Sequence, residues 1–295
     1  MLRSLPILAL CAAASVAHGE PVLETGPGLL PAERLNPYVL TSLVSERLLL
    51  EVDWVAGYRP SHAALEGARS FLGKSCAPER RIDIVLDDEI PLATWEAHPG
   101  REGLEGLVAD WLDADPSDWR KTEVIYLLYV PDSVPWFEGP LSGIADRILF
   151  ERKGKVAAVR SVLLFTDEIR RDASFWITTG KVERATLVHE LGHVLGLTYN
   201  PDHMQRKHPG HCSVARCVMH RPGWRAAWVN GLPAFFAGRI PSGLGRRCAG
   251  DIERARSSWA GRAAASPHFV RRLISERLLL ELGEAEAWRA LRVSR

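Results

Sequence analysis

Apolar residues recur along this chain in two rhythms, and the switches between them lay out the expected elements. Residues 48–55, Leu-Leu-Leu-Glu-Val-Asp-Trp-Val, are dense in branched and aromatic side chains and read as a strand. Ser61 can cap a helix running to Leu72, where Gly73 stops it. A second strand is expected at 81–86 and a second helix at 102–112. Residues 123–130, Glu-Val-Ile-Tyr-Leu-Leu-Tyr-Val, are the clearest strand, apolar enough for the middle of a sheet. A Pro-rich stretch, 131–140, separates it from 156–165, which supplies one or two further strands. The rhythm then turns helical from Lys181 onward. Leu187, Val188, Leu191, Val194 and Leu195 form a broad apolar face, and Gly196 is placed to end the helix. Residues 224–245 are irregular and marked by Gly and Pro, with helices expected near 249–263 and 267–292. Alternating strands and helices predict an α+β fold with α/β character.

The ends of the chain read differently. Arg3, the apolar stretch from Leu5 to Ala17 and the small residues before Glu20 make 1–19 a signal peptide, too short for a membrane span. Export to a periplasm or to the medium is expected, and the bulky Leu10 before Cys11 argues against a lipid anchor. Residues 20–42 read as a leader or linker, 43–265 as one domain, and 266–295 as an amphipathic C-terminal helix packed on that domain. Ser-Glu-Arg-Leu-Leu-Leu-Glu occurs at 45–51 and again at 275–281. The flanks favour a strand in the first case and a helix in the second, so the duplication is no repeat unit.

Charge narrows the partners. Lys and Arg number 37 against 36 Asp and Glu, and removal of Arg3 with the first segment leaves 36 against 36, a formal charge of 0. No basic stripe is present, which argues against nucleic acid. No later apolar run reaches the roughly 18 residues of a membrane span. A monomer is expected. The acidic runs at 87–89 and 113–118 read as solvated loops. Four cysteines remain after the first segment: Cys76, Cys212, Cys217 and Cys248. In an oxidising compartment an even number points to disulfides, in any of three pairings.

The chemistry concentrates at 189–193, His-Glu-Leu-Gly-His. Two His four apart project from one helix face and can share a metal ion, and the intervening Glu190 can reach a water on that metal as general base. Six of the ten His lie between 189 and 220. Candidates for a third ligand are Asp202, His203, His208 and His211, with His211 in the best context and His203 its main rival.

His189-Glu190-x-x-His193-x-x-Gly196, followed by His211-Cys212, four residues, Cys217-x-Met219, resembles the metzincin zinc peptidases, and within them the archaemetzincin-like group. The resemblance covers about 30 residues closely. It implies a zincin-like twisted mixed sheet packed on the active-site helix, above a helical C-terminal subdomain. It implies one catalytic Zn2+ held by His189, His193 and His211, with Glu190 as base, Met219 as the Met-turn, and a peptide or protein substrate. The function it implies is a secreted zinc endopeptidase; the alternative is a zinc-holding scaffold that binds a partner through the cleft. The chain departs from the family at three places. Tyr199 stands where the third ligand usually lies, so 199–210 must loop out before His211. Gly245 stands where the family has the first Cys of a Cys-x-x-Cys that completes a second, four-Cys zinc site. Such a site would lack a ligand unless Cys76 supplied it, and disulfides are expected instead. No Tyr follows Met219, where His220-Arg221-Pro222 stand.

Overall fold

The computed structural model describes residues 35–115, 118, 120–132, 141–173, 177–220, 240–266, 268–277, 283, 285 and 286. The segment read as a signal peptide, and most of the irregular stretch at 224–245, lie outside the described residues. Five strands form one sheet: β1 (Arg47–Val55), β2 (Arg81–Ile90), β3 (Thr122–Val130), β4 (Gly143–Arg152) and β5 (Lys155–Phe165), in the order β2-β1-β3-β5-β4. β1 pairs parallel with β2 and β3, and β3 pairs parallel with β5. β4 runs antiparallel on the edge, because only Lys153 and Gly154 separate it from β5. Both turn residues have positive φ, 52° and 75°, the geometry that a two-residue hairpin needs to follow the twist of its strands.

The helices are α1 (Pro37–Leu40), α2 (His62–Ser75), α3 (Leu92–Glu96), α4 (Gly100–Trp111), α5 (Thr166–Asp172), α6 (Thr179–Val194) and α7 (Arg246–Ala265). They cover the sheet on both faces, so each central strand is buried on both sides. Leu50 of β1, Ile125 and Leu127 of β3 and Val162 of β5 share a core with α2 and α6. Tyr126 and Leu128 of β3 and Leu163 of β5 face the other way, against Leu104, Leu107 and Val108 of α4. The mixed, mostly parallel sheet is the α+β architecture expected from the alternation of elements.

Two elements depart from the sequence reading. β4 carries Asp146 and Arg147 in its middle, so its apolar rhythm is broken. Residues 156–165 yield β5 alone, and the second strand lies upstream. Residues 35–40, read as the close of a linker, are buried in the main core. The Asn36 backbone N–H donates to the Leu195 carbonyl at 3.0 Å and its Nδ2 to Val194 at 3.3 Å, so this segment caps the end of α6. The C-terminal helical stretch at 268–277 packs on the same domain. Tyr38 Oη donates to the Leu273 carbonyl at 2.9 Å, and the Arg277 guanidinium pairs with the buried Glu123.

Two carboxylates of β1 make the core pH-sensitive. Glu51 accepts the Asp113 and Ala114 backbone N–H groups, and burial pushes its carboxyl up to about 7. Asp53 accepts the Tyr126 hydroxyl at 2.6 Å and the Asp88 N–H at 3.1 Å, and burial pushes it up to about 6. Both folded values exceed the ordinary 4.5 and 3.8, so the folded state binds more protons and stability falls as pH rises through that interval. Unfolding free energy measured by denaturant titration is expected to decline between pH 4 and about 7. The decline should be smaller in Glu51→Gln/Asp53→Asn; an equal slope in both proteins would refute the assignment.

Candidate metal centre

α6 ends where Gly196 takes φ 79°, with the Leu197 N–H on the Gly192 carbonyl at 3.0 Å and the Gly196 N–H on His193 at 2.8 Å. This paired closure reverses the chain, as the glycine position predicts. His189 and His193 project from one face of the helix with Nε2 atoms 3.1 Å apart. Two nitrogens on one tetrahedral zinc stand about 3.3 Å apart. His189 Nδ1 lies 2.7 Å from the Val218 carbonyl, which can only accept. The single proton of the neutral ring is therefore on Nδ1, and Nε2 presents a bare lone pair.

His211 completes the group. Its ring centroid lies 5.2 Å from that of His189 and 5.3 Å from that of His193, and the three ligand atoms fall within 4.8 Å of one another. Burial holds His189 below the usual imidazole range. Burial, reinforced by the charges of His189 and His211, holds His193 well below it. Both helix imidazoles are thus disposed to be neutral ligands. Of the sequence candidates, His211 stands in this group; Asp202, His203 and His208 do not.

The excursion at 199–210 leaves His211 in place because its ends are tied. Thr198, at φ 79°, donates its hydroxyl to the Gly210 carbonyl. The loop then folds back on the segment that follows, with the Gln205 N–H on the His211 carbonyl at 2.7 Å and the Ser213 N–H on His203 at 2.7 Å.

Glu190, next to His189 in the helix, is buried and accepts the Ala145 backbone N–H from β4. Burial pushes its carboxyl up to about 8, against the pull of that bond. β4 lies close because its first residue is glycine: a Cβ on Gly143 would stand 2.9 Å from Thr186 Cγ2 and 3.0 Å from Glu190 Cγ. Met219 is fully buried beneath the pair, and a Cβ on Gly192 would overlap its sulfur. The glycine between the two His therefore makes room for the methionine, a contact that the motif alone does not reveal.

The disulfides expected from export are absent: all four cysteines are free thiols. The Cys217 and Cys248 sulfurs stand 3.6 Å apart, far beyond the roughly 2.05 Å of a bond. Cys76 closes α2, and burial pushes its thiol up to about 11, so it is unreactive and takes no part in the cluster of the other three. Cys212 and Cys248 gather instead around His203, whose Nδ1 is 3.5 Å from Cys212 Sγ and 4.0 Å from Cys248 Sγ. Hydrogen bonds from Cys212 and Cys248 hold Cys217 far below the ordinary thiol range, and the same sharing pushes Cys248 up. His203 Nε2 lies 2.5 Å from the buried Asp251 on α7. The spacing Cys248-x-x-Asp251 was the only sequence sign of that partner.

The chain matches no known family profile and no curated protein.

Filling the methionine's space is expected to be costly. Gly192→Ala should gain about 1 kcal/mol of helix propensity yet lose ~1–3 kcal/mol to overpacking against Met219. A chemical unfolding curve at or above that of the parent protein would show that the contact is not tight.

Proposed function

We propose that this chain is an exported zinc-dependent endopeptidase of metzincin type, nearest the archaemetzincin-like group. The observation that supports it is Glu190, buried next to His189 on the helix that carries the imidazole pair and accepting an N–H of the sheet's edge strand. Holding a metal does not require a carboxylate there; moving a proton does.

β4 offers the substrate its place. Among the described residues it has one strand neighbour, β5, so its outer edge can pair with an extended peptide through main-chain hydrogen bonds. Such a peptide would lie across α6 at the level of Glu190, since Gly143 and Ala145 bring the strand down onto that side chain. His189, His193 and His211 would hold a divalent cation, which when bound would polarise the peptide carbonyl and a water and favour the ionised form of a nearby carboxyl. Glu190 takes the proton of the attacking water at a carboxylate oxygen and delivers it to the departing amide nitrogen. His189 is kept in register for this by Val218, and His211 by the Thr198–Gly210 tie.

Replacing Glu190 with Gln removes the proton acceptor and keeps the shape. Glu190→Gln is expected to retain the metal content of the parent protein, while cleavage of a mixed peptide library falls about 10²- to 10⁴-fold. A parent protein that holds its metal and cleaves nothing in the library would instead favour a scaffold that binds a partner through the cleft.

A further inference from the structure

We propose that His203, Cys212, Cys217 and Cys248 form a second, structural metal site, in which a histidine from the 199–210 excursion supplies the fourth ligand. It would take a thiophilic divalent cation, zinc foremost, and hold it without an open position for water.

Three buried ligand atoms, from His203, Cys212 and Cys248, lie within 4.8 Å of one another, and the buried Cys217 Sγ joins them 3.6 Å from Cys248; the four come from three separate pieces of chain. His203 comes from the excursion, Cys212 and Cys217 from the segment that carries His211 and Met219, and Cys248 from the first turn of α7. Their relative exposures are 3%, 0%, 1% and 0%, so water cannot satisfy them. A tetrahedral zinc sets sulfurs about 3.8 Å apart and sulfur and nitrogen about 3.6 Å apart. The observed separations are 3.6 Å for Cys217 to Cys248, 3.5 Å for His203 Nδ1 to Cys212 and 4.0 Å for His203 Nδ1 to Cys248.

The outer groups suit the same purpose. Asp251 receives the Nε2–H of His203 at 2.5 Å, which leaves Nδ1 as a lone pair facing the sulfurs. Asn200 Nδ2 donates to Asp251 at 3.0 Å, and Arg254 pairs with the same oxygen, so the carboxylate is itself held. The Gly245 N–H donates to Cys217 Sγ at 3.1 Å, and the start of α7 favours thiolates through its partial positive charge.

Gly245 explains why the ligand comes from elsewhere. A Cβ there would lie 3.1 Å from Cys217 Cβ and 3.6 Å from its sulfur, so a side chain at 245 would enter this same cluster. Gly245 brings no side chain, and the imidazole arrives instead on a loop with little regular structure. Between residues 197 and 220 the described backbone has one isolated bridge, Met204 to Cys212, and no strand or helix. A metal there would do for this segment what a ladder of hydrogen bonds does elsewhere. It would fix His211, Val218 and Met219 by their neighbours in the chain.

Full-length protein loaded with zinc and dialysed is expected to hold two ions per chain by elemental analysis, and cobalt-loaded protein to show thiolate-to-cobalt charge-transfer absorption. His211→Ala should lose one ion and keep that absorption, since its site has no sulfur. His203→Ala should lose one ion together with most of the absorption, and His203→Cys should restore two ions. Asp251→Asn should weaken the second ion by about 10- to 100-fold and leave the first unchanged. Cobalt-loaded parent protein without thiolate absorption would overturn the site even if every variant failed to fold. So would a Cys217–Cys248 disulfide, found by thiol counting, in protein that still holds one ion. Failure at the imidazole centre alone appears as one ion with full thiolate absorption, which distinguishes the two sites.

Discussion

The hydrogen bond from His189 Nδ1 to the Val218 carbonyl is the junction on which the centre depends. It selects the tautomer, aims Nε2 at His193 and fastens α6 to the segment that returns with His211 and Met219. The same residue is gripped on its other side, since the Val218 N–H donates to the Gly243 carbonyl at 2.9 Å just ahead of α7. One residue thus links the imidazole helix to the segment just ahead of the last helix of the domain. Its neighbours are Cys217, in the thiol cluster, and Met219, under the imidazoles, so displacement of Val218 would disturb both groups of ligands together.

The sheet serves this junction by offering rigidity on one side and an edge on the other. The parallel strands are buried on both faces, and their apolar runs leave little choice of register. Their polar residues are committed to one another: Glu123 pairs with Arg160 and Arg277, and Asp53 with Tyr126. β4 differs in kind. It is antiparallel, half-polar and placed by a two-residue turn, and it is the strand that meets Glu190.

Much of the frame was legible from residue pattern. The strands at 48–55 and 123–130 and the helix of the His pair are dictated by long, consistent periodicity, and each stands within two residues of its expected place. β4 was not legible because Asp146 and Arg147 interrupt its rhythm, and an edge strand tolerates that. The segment at 35–40 was misjudged because proline and glycine upstream read as linker, whereas Asn36 is needed to cap α6. At the site, the His pair and Glu190 follow from spacing, whereas His211 was favoured only by its His-Cys context, with His203 left as its rival, and the fold groups His211 with the pair. The company of His203 does not follow from spacing, since nothing local links it to Cys248 or Asp251, which lie 45 and 48 positions away. Even numbers of cysteines invite disulfides, and only the folded arrangement shows the sulfurs turned towards an imidazole instead.

The tie between Thr198 and the Gly210 carbonyl has a wider meaning. A detour whose entrance and exit are pinned together holds its two flanks at a fixed separation, so His211 returns to the helix although twelve residues intervene.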